Sequence, residues 1–470
     1  MSQPPIEPPP ASWADLLSAR NLLRSLALTG GIALHAVNIY IVTTVLPTVV
    51  REIGGLEYYA WSTTLFVVAS IAGSVLATRL IHALGARIAY LLALSVFCVG
   101  AVGCAAASSM PWLLLGRTVQ GLGGGLLFAL AYALIRLIFE EALWGRVMAL
   151  VSGVWGAATL LGPAIGGIFA QIGHWRWAFL AVLPVAAVLA LIVIGQLDRK
   201  PAEGGDAGAL PLGKIGLLVA SVLAISLASL APRPGWNVAG IGAGLALLML
   251  MVALDRKAAV RLMPRGAYSL SNQLGAIYAC MALLIVGISS EVFIPYFLQT
   301  IHGRTPLAAG YMTAFVSFGW TAASLLSSGR IGAAADRMVR LAPPILLASL
   351  LALMLVTPNP VLMAGDTGTA LYCALLAAAG FGIGLGWPHL SIRVFNGARA
   401  GEETLAASSI TTVQLYATAL AAALAGVVAN GAGITEPGGV AGAQNAAQWL
   451  FGAFAVAPAL AMLLTGRILR

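Results

Sequence analysis

Long apolar segments, separated by short polar stretches, recur along almost the whole chain. A helix of about 20 apolar residues crosses the hydrocarbon core of a bilayer. The segments are continuously apolar and do not alternate, which favours transmembrane helices over barrel strands. We predict an all-α polytopic membrane protein. Its fourteen predicted spans are 26–49, 58–80, 87–108, 112–135, 147–171, 177–196, 214–231, 236–254, 273–298, 306–328, 341–357, 368–388, 405–430 and 446–466.

The composition requires a lipid environment. Of the 470 residues, 60% are hydrophobic and 9% are charged, which leaves too few polar side chains to cover a water-exposed surface. The net charge of +9 comes from basic residues that occur singly and in small groups between the apolar segments. We therefore predict the lipid bilayer as a partner and no nucleic acid.

The basic residues lie mostly on one side of the predicted membrane. With both termini in the cytoplasm, the outside loops contain only Arg51, Arg176, Arg233 and Arg304 of the 25 Lys and Arg residues, and Arg117 lies within a span. Cytoplasmic loops are enriched in Lys and Arg. Because a wrong span count would mix the two sets, the bias supports an even number of spans with cytoplasmic N and C termini.

Polar segments divide the chain into two six-span halves with two spans between them. We predict a cytoplasmic tail at 1–25, a first six-helix bundle at 26–197, a cytoplasmic linker at 198–213, two extra transmembrane helices with a basic connector at 214–265, and a second six-helix bundle at 266–470. The first segment contains PPIEPPP and lacks the features of a signal peptide. Two equal bundles favour a central site between repeats, as in secondary transporters.

Three local patterns carry a resemblance to a known family. They are LLLGRTVQGLGGG (113–125) in the fourth span, WGAATLLGPAIGG (155–167) in the fifth span, and GRIGAAADRMVR (329–340) in a loop of the second bundle. With these patterns in this order, the chain resembles the major facilitator superfamily, and within it the fourteen-span drug:proton antiporter branch. The matching positions are Arg117, Gln120, Gly121 and Gly124; Gly162, Pro163, Gly166 and Gly167 of the antiporter signature; and Gly332, Asp336, Arg337 and Arg340 of the cytoplasmic loop motif.

The resemblance implies a secondary active transporter whose two bundles enclose a substrate cavity. It implies proton-coupled efflux of amphipathic or aromatic small molecules by alternating access, in the cytoplasmic membrane of a bacterium. An ion gradient supplies the energy, so we expect no cofactor, and we expect the protein to function as a monomer.

Two positions depart from the family pattern. In TRLIHALGAR (78–87), His82 occupies the usual acidic position, so the salt bridge of that position cannot form. In the first span, NIYIVTTVLP (38–47) has Asn38 where the branch typically has Asp. A neutral amide carries no coupling proton, which leaves both proton and sodium coupling open.

Three residues within the spans are candidates for proton coupling. Glu291 lies about 10 Å from the outer end of its span by the helical rise, and ionisable groups inside a membrane are expected to be functional. The alternative for Glu291 is a carboxylate hydrated by an outer vestibule. Arg117 matches a position that the resemblance associates with proton coupling, or its side chain extends to the interface. His35 titrates near neutral pH, or it is a hydrogen-bonded packing residue.

Polar and aromatic side chains within the spans are candidates for substrate contacts. Aromatic walls with few polar groups suit amphipathic or aromatic cargo. The predicted cavity residues are Asn38, Tyr40, Gln120, Tyr132, Tyr296, Gln299, Gln414 and Tyr416. Aromatic residues near span ends fit an interfacial belt instead. We assign to this belt Tyr58, Tyr59, Trp112, Trp175, Trp177 and Trp236.

The segment LLGPAIGGIF (160–169) combines glycines with a proline inside a predicted helix. Small residues recur every four positions from Ala158 to Ala170, which forms a face that a neighbouring helix can approach closely. Pro163 lacks a backbone donor and favours a bend. This face is either a packing ridge alone or, as the resemblance implies, a gate surface that seals one side of the cavity.

Other classes of function have little support. The chain contains neither an HExxH-like segment nor a phosphate-binding GxxxxGK[ST] loop, so we predict no enzyme, no metal site and no ATP-driven transport. The four cysteines lie within predicted spans without metal-ligand spacing. A channel-like passive pore stays open as an alternative, as do export of lipids or metabolites and transport in the import direction.

Overall fold

The computed structural model describes Leu16 and residues 18–197, 211–231 and 233–469. Most of the predicted tail 1–25 and of the predicted linker 198–213 therefore lies outside the described residues. The first helix begins at Ala19, inside the segment predicted as tail, because NLLRSLALT (21–29) already has leucines at helical spacing. The domain boundaries stay predictions.

All regular secondary structure in the described part of the chain is helical, which confirms the all-α prediction for these residues. The helices are α1 (Ala19–Ile53), α2 (Trp61–Ala105), α3 (Met110–Ile138), α4 (Glu141–Gln171), α5 (Trp175–Leu180), α6 (Val182–Gln196), α7 (Leu212–Ala228), α8 (Pro234–Lys257), α9 (Gln273–Ile288), α10 (Ile294–Thr300), α11 (Pro306–Ser328), α12 (Ala333–Val356), α13 (Gly365–Gly397), α14 (Glu403–Gly431) and α15 (Gly439–Ile468). Short 3₁₀ helices cover Leu56–Tyr58 and Ser289–Phe293.

Eleven helical segments of the described residues are long and apolar enough to cross a membrane. One of them, Leu56–Ala105, contains two predicted spans, and α2 bends between them at Gly85. The φ of Gly85 is 79°, a conformation that glycine adopts without strain. The chain is therefore a multi-pass membrane protein. The count of fourteen spans and the cytoplasmic position of the termini stay predictions.

The helices pack as two bundles with the extra pair beside their junction. Helices α1–α6 form the first bundle, and α9–α15 form the second. The extra pair, α7 and α8, packs together, and α7 lies against α14 of the second bundle and α2 of the first. The bundles meet through α4 against α11 and through α2 against α14. This arrangement leaves a site between the bundles.

Close helix approach explains the glycine-rich pattern of α3. At Gly121 an added Cβ would lie 2.3 Å from the carbonyl oxygen of Phe66, and at Gly125 it would lie 2.1 Å from that of Ser70. Non-bonded atoms do not approach so closely, so any larger residue would push α2 and α3 apart. The glycines thus hold the helix that carries Arg117 tightly against α2.

The predicted aromatic belt is only partly correct. Trp112, Trp177 and Trp236 are more than half exposed, as expected for side chains at a membrane surface. Tyr59 and Trp175 are buried, so their assignment to the belt is wrong. The ring of Tyr59 stacks on Phe293 of the second 3₁₀ helix. Trp175 packs edge-on against Phe179 of its own helix and donates its indole N–H to Glu52 of α1.

Candidate functional site

A central cavity lies between the two bundles, with a volume of about 240 Å³. Its walls come from α1–α4 of the first bundle and from α9, α11 and α14 of the second. The predicted site residues on these walls are His35, Tyr40, Arg117, Glu291 and Gln414. In the described part of the chain, no group of three or more His, Cys, Asp or Glu side chains is arranged to hold a metal ion.

Arg117 is held by two amide side chains and an aromatic ring, and it is 2% exposed. Its Nη1 donates to Oδ1 of Asn38 at 2.6 Å and to Oε1 of Gln120 at 2.7 Å. The guanidinium carbon lies 4.0 Å from the centre of the Phe66 ring, which is a cation–π contact. The side chain therefore points into the protein and does not extend to the membrane surface.

The positively charged guanidinium of Arg117 is stabilised by hydrogen bonds to neutral side chains. Among the described residues, no carboxylate forms an ion pair with it. Asn38 and Gln120 are both fully buried, and their amide nitrogens have no hydrogen-bond partner in the described chain. Asn38 thus acts as an acceptor without contributing a negative charge, so this position cannot itself bind and release a proton.

His35 lies in an aromatic cluster on the cavity wall. Its ring centroid is 5.4 Å from those of Phe66 and Phe128 and 6.4 Å from that of Trp155. Its Nδ1, which has no hydrogen-bond partner within the described residues, faces Gly124, where an added Cβ would lie 2.7 Å away. The ring therefore packs among aromatic side chains but lacks, at Nδ1, the hydrogen bond that the packing interpretation expected, and a coupling role for His35 stays a prediction.

Glu291 lies on the 3₁₀ helix between α9 and α10, and it faces the cavity. The break has a local cause: Ser289 donates its hydroxyl to the carbonyl of Ile285, and Pro295, which has no amide hydrogen, lies in the first turn of the next helix. Nothing within the described residues forms a hydrogen bond or an ion pair with the carboxylate. The carboxylate is therefore free to bind a proton or a cationic ligand.

Tyr296 and Gln299 do not line the central cavity, which corrects the prediction for both. They lie on α10, beyond the break, where Gln299 Oε1 accepts a hydrogen bond from Arg51 Nη2 at 2.8 Å. The ring centroid of Tyr296 is 5.6 Å from that of Tyr59. Because the helix breaks after α9, this segment turns towards the ends of α1 and α2 and forms a contact between the bundles.

Gln414 and Tyr416 lie on opposite sides of α14. Gln414 lines the central cavity, whereas the hydroxyl of Tyr416 lies 2.9 Å from Oγ of Ser221 in α7. Two residues along an α-helix rotate a side chain by about 200°. The prediction that both residues face one cavity is therefore corrected for Tyr416, which contacts the extra helix pair.

The other predicted tyrosines are placed differently from each other. Tyr40 lines the cavity, and its hydroxyl lies 2.9 Å from Oγ of Ser317 in the opposite bundle. Tyr132 packs on Phe128, with 5.0 Å between ring centroids, and supports the cavity wall from behind. Only Tyr40 among these two is placed to contact a substrate.

Further residues complete the wall and were not predicted from the sequence. On α14, threonines three residues before and four residues after Gln414 share its helix face, a spacing that could have been read from the sequence. The aromatic members carry no comparable signal. The additional polar and aromatic wall residues are Thr43, Thr63, Phe66, Ser70, Phe128, Trp155, Ser289, Thr313, Trp320, Thr411 and Thr418.

The antiporter signature in α4 contacts two helices at once. An added Cβ at Gly162 would lie 2.3 Å from Cβ of Tyr40 in α1. An added Cβ at Gly167 would lie 2.6 Å from Cα of Leu307 in α11, in the opposite bundle. Gly166 similarly faces α1, and Pro163 faces α11. The small-residue face is thus both a packing surface within the first bundle and a contact between the bundles.

The cytoplasmic loop motif forms the start of α12. Gly332 precedes this helix with a φ of 57°, which favours glycine. Asp336 forms an ion pair with Arg393 near the end of α13. Arg337 and Arg340 are exposed. The motif therefore ties two helices of the second bundle together.

The first copy of the loop motif keeps a different contact. Arg87 Nε donates to the carbonyl oxygen of Leu197 at the end of α6, with a distance of 2.6 Å. His82, in the acidic position, has a buried Nδ1 without a partner in the described chain. The first bundle thus replaces the ion pair by a helix-end contact.

Two helix bundles around a partly polar cavity, in a chain of many membrane-spanning helices, define a membrane transporter. The sequence model of the Major Facilitator Superfamily matches residues 28–422 of this chain. The chain is 38% identical over 460 residues to the "Probable multidrug-efflux transporter" of Mycobacterium tuberculosis, covering 96% of this chain and 95% of that one. The chain belongs to the Major Facilitator Superfamily, which confirms the resemblance drawn from the three patterns.

More distant similarities agree with this family. "Multidrug resistance protein 3" of Bacillus subtilis is 26% identical over 384 residues, covering 79% of this chain and 72% of that one. A POT family transporter crystallised with 5-aminolevulinic acid has a TM-score of 0.67 at 15% identity, over 95% of this chain and 97% of that one. A D-xylose–proton symporter has a TM-score of 0.60 at 14% identity, over 96% and 98%. These structures share the fold.

Proposed function

We propose that this protein exports amphipathic or aromatic small molecules from the cytoplasm in exchange for protons. In this proposal the fourteen predicted spans cross a bacterial cytoplasmic membrane with both termini in the cytoplasm. The protein works as a monomer, and the proton gradient supplies the energy without a cofactor. The multidrug-efflux name of one relative, the multidrug-resistance name of another and the aromatic cavity wall support this choice of cargo.

The observation that carries the proposal is the unpartnered carboxylate of Glu291 on the cavity wall. An ionised carboxylate inside a membrane is costly, and the cost falls when a proton binds or a cationic ligand lies beside it. Glu291 belongs to the second bundle, whereas the fixed charge of Arg117 belongs to the first. Proton binding therefore changes the electrostatic interaction between the bundles and biases one conformation over the other.

Contacts between the bundles support alternating access. Arg51 contacts Gln299, and Gly167 approaches Leu307, near one end of the helices that meet there. In the predicted topology this end faces outside, so the conformation described here has its cavity closed to the outside. Release of cargo then requires these contacts to separate while the opposite end closes.

Transport by purified protein in liposomes tests the proposal. We expect flux of cationic dyes to saturate with dye concentration and to follow an imposed pH gradient. In Glu291→Gln, which keeps the size of the side chain, we expect the dependence on the gradient to disappear. Glu403→Gln is the matched control, because Glu403 is exposed at the start of α14, away from the cavity.

Four outcomes would contradict parts of the proposal. Dye flux that ignores the pH gradient and persists in Glu291→Gln excludes coupling through this carboxylate. Flux that follows a sodium gradient instead assigns the coupling ion to sodium. A steady ohmic current without saturable flux favours a channel. Preferential movement of a neutral lipid favours lipid export.

A further inference from the structure

A second cavity lies between the extra helix pair and the second bundle, outside the central cavity. Its volume is about 320 Å³. Its walls come from α7, α8, α9 and α14 and from the connector between α8 and α9. They are formed almost entirely by apolar side chains, among them Leu218, Met249, Met263 and Val413. No role in the transport cycle proposed above uses this cavity.

The cavity lies close to the ends of the helices that form it. Leu218 is six residues from the start of α7, and Tyr278 is five residues from the start of α9. At a rise of 1.5 Å per residue, these positions are within about 10 Å of the helix ends. These wall residues are therefore at the depth where lipid acyl chains meet their headgroups, and Tyr416, 13 residues from the start of α14, continues the wall towards the membrane centre.

The connector that closes this cavity is held in place by Asp255, which is fully buried. Its carboxylate accepts hydrogen bonds from the Lys214 ammonium and the Leu262 amide at 2.8 Å each. It also accepts from the Tyr268 hydroxyl at 2.8 Å and from the Met263 amide at 3.2 Å. Three of these four donors belong to residues of the cavity wall, so hydrogen bonds to Asp255 fix the position of this part of the wall.

Two guanidinium groups lie beside this wall. Arg256 donates to the carbonyl oxygen of Tyr268 at 2.7 Å, and Arg467 donates to that of Leu270 at 3.3 Å. Both arginines are exposed, and both accepting residues line the cavity. Neither arginine has an ion-pair partner within the described ranges. Each guanidinium has five N–H donors, so most of them stay available to an anion.

We propose that this cavity binds an anionic phospholipid of the bilayer, with an acyl chain between the extra helix pair and the second bundle and the phosphate on Arg256 and Arg467. Basic groups between transmembrane helices at the membrane surface recognise anionic headgroups. A soluble phosphate would leave the apolar walls unused, and an uncharged apolar molecule would leave the two guanidinium groups without an anion. The bound lipid holds α8 and its connector against the second bundle.

Native mass spectrometry of the delipidated full-length protein tests this proposal with added dioleoylphosphatidylglycerol and dioleoylphosphatidylcholine. We expect the anionic lipid to bind more tightly than the zwitterionic one. In the double variant Arg256→Gln/Arg467→Gln, we expect affinity for the anionic lipid to fall about 10- to 30-fold, since each basic residue near the surface contributes about 1 kcal/mol. Glycerol phosphate, which has no acyl chain, is expected not to compete.

Two further variants separate charge from shape. Arg330→Gln/Arg340→Gln removes two exposed arginines, one just before α12 and one on α12, a helix that contributes no residue to the cavity wall, and we expect unchanged lipid affinity. Ala279→Phe fills the apolar cavity while keeping both headgroup arginines, and we expect weaker binding of the anionic lipid. Equal affinity in the two double arginine variants, equal binding of the two lipids, or competition by glycerol phosphate would overturn the proposal. None of these measurements depends on transport.

Discussion

The hydroxyl oxygens of Tyr40 in α1 and Ser317 in α11 lie 2.9 Å apart and form a hydrogen bond between the two bundles. Tyr40 also lines the central cavity, and its Cβ faces Gly162 of the antiporter signature. One side chain therefore contacts the cavity, the small-residue face of α4 and the opposite bundle. Any motion that separates α1 from α11 must break this hydrogen bond.

We expect Tyr40→Phe to favour separation of the bundles. The substitution removes the hydrogen bond and keeps the ring, and a hydrogen bond contributes about 1 kcal/mol net, which corresponds to roughly a 5-fold change in a conformational equilibrium. Distances between spin labels on α4 and α11 report this equilibrium. Tyr132→Phe is the control, because Tyr132 packs within the first bundle. Identical distance distributions in both variants would argue against a role for the Tyr40 hydroxyl.

Gly167→Val should prevent tight contact between α4 and α11. The added Cβ would lie 2.6 Å from Cα of Leu307, and the bundles would have to move apart to accommodate it. We expect leakage of dye in the absence of a gradient, or loss of gradient-driven exchange. Gly156→Val lies on the same helix with open space around its Cβ position, and its transport should stay within about twofold of the parent protein. A Gly167→Val protein that does not leak dye and still exchanges it in response to the gradient would contradict a gating role for this face.

Two substitutions of Asn38 test whether its hydrogen bond stabilises Arg117: one removes the acceptor, and the other keeps an acceptor and adds a negative charge. Asn38→Leu leaves the buried guanidinium of Arg117 without one of its two amide acceptors, at a cost of about 2–3 kcal/mol. Asn38→Asp keeps an acceptor and adds a charge that complements Arg117. We expect thermal unfolding in detergent to occur at lower temperature for Asn38→Leu and not for Asn38→Asp. The reverse order would show that the 2.6 Å contact does not stabilise Arg117.

Asp255→Asn should loosen the connector between α8 and α9. The amide nitrogen that replaces one carboxylate oxygen cannot accept a hydrogen bond, and the Lys214 ammonium loses its ion pair. We expect trypsin to cleave at the connector arginines about tenfold faster, because local opening becomes less costly. Asp366→Asn, at the exposed start of α13, is the control and should leave the cleavage rate unchanged. Equal rates would contradict the role assigned to Asp255.

We expect the stability of the protein to depend on pH through His302, which lies in the loop before α11. Burial lowers the pKa of His302 below its ordinary value of 6.5, while its ring nitrogen lies 2.8 Å from the carbonyl oxygen of Thr357. A lowered pKa in the folded state means that the neutral form is favoured by folding. The neutral imidazole of His302 therefore contributes to the free energy of unfolding above pH 6.5, and this contribution is lost as the pH falls through the pKa of His302 in the folded state. His302→Gln should reduce the difference in unfolding temperature between pH 8 and pH 5, and an unchanged difference would refute this assignment.

Some properties of this protein follow from the sequence because they depend on local chemistry. Apolar segments locate the membrane helices, since lipid gives no hydrogen bonds to an exposed backbone. The glycines around Arg117 and in LLGPAIGGIF identified the family, because close helix packing needs small residues at fixed spacing. The multi-pass helical character and the family were therefore predictable without knowledge of which helices are neighbours, whereas the count of fourteen spans stays a prediction.

Only the tertiary structure decided which side chains share a cavity. Gln414 and Tyr416 are two residues apart and face different cavities, because a helix turns about 100° per residue and has different neighbours on each side. Tyr296 and Gln299 lie beyond a helix break and contact the first bundle. The amide partners of Arg117 come from two helices, and their convergence depends on packing. Hydropathy and motifs are properties of one segment, whereas a cavity is formed by the facing sides of several helices.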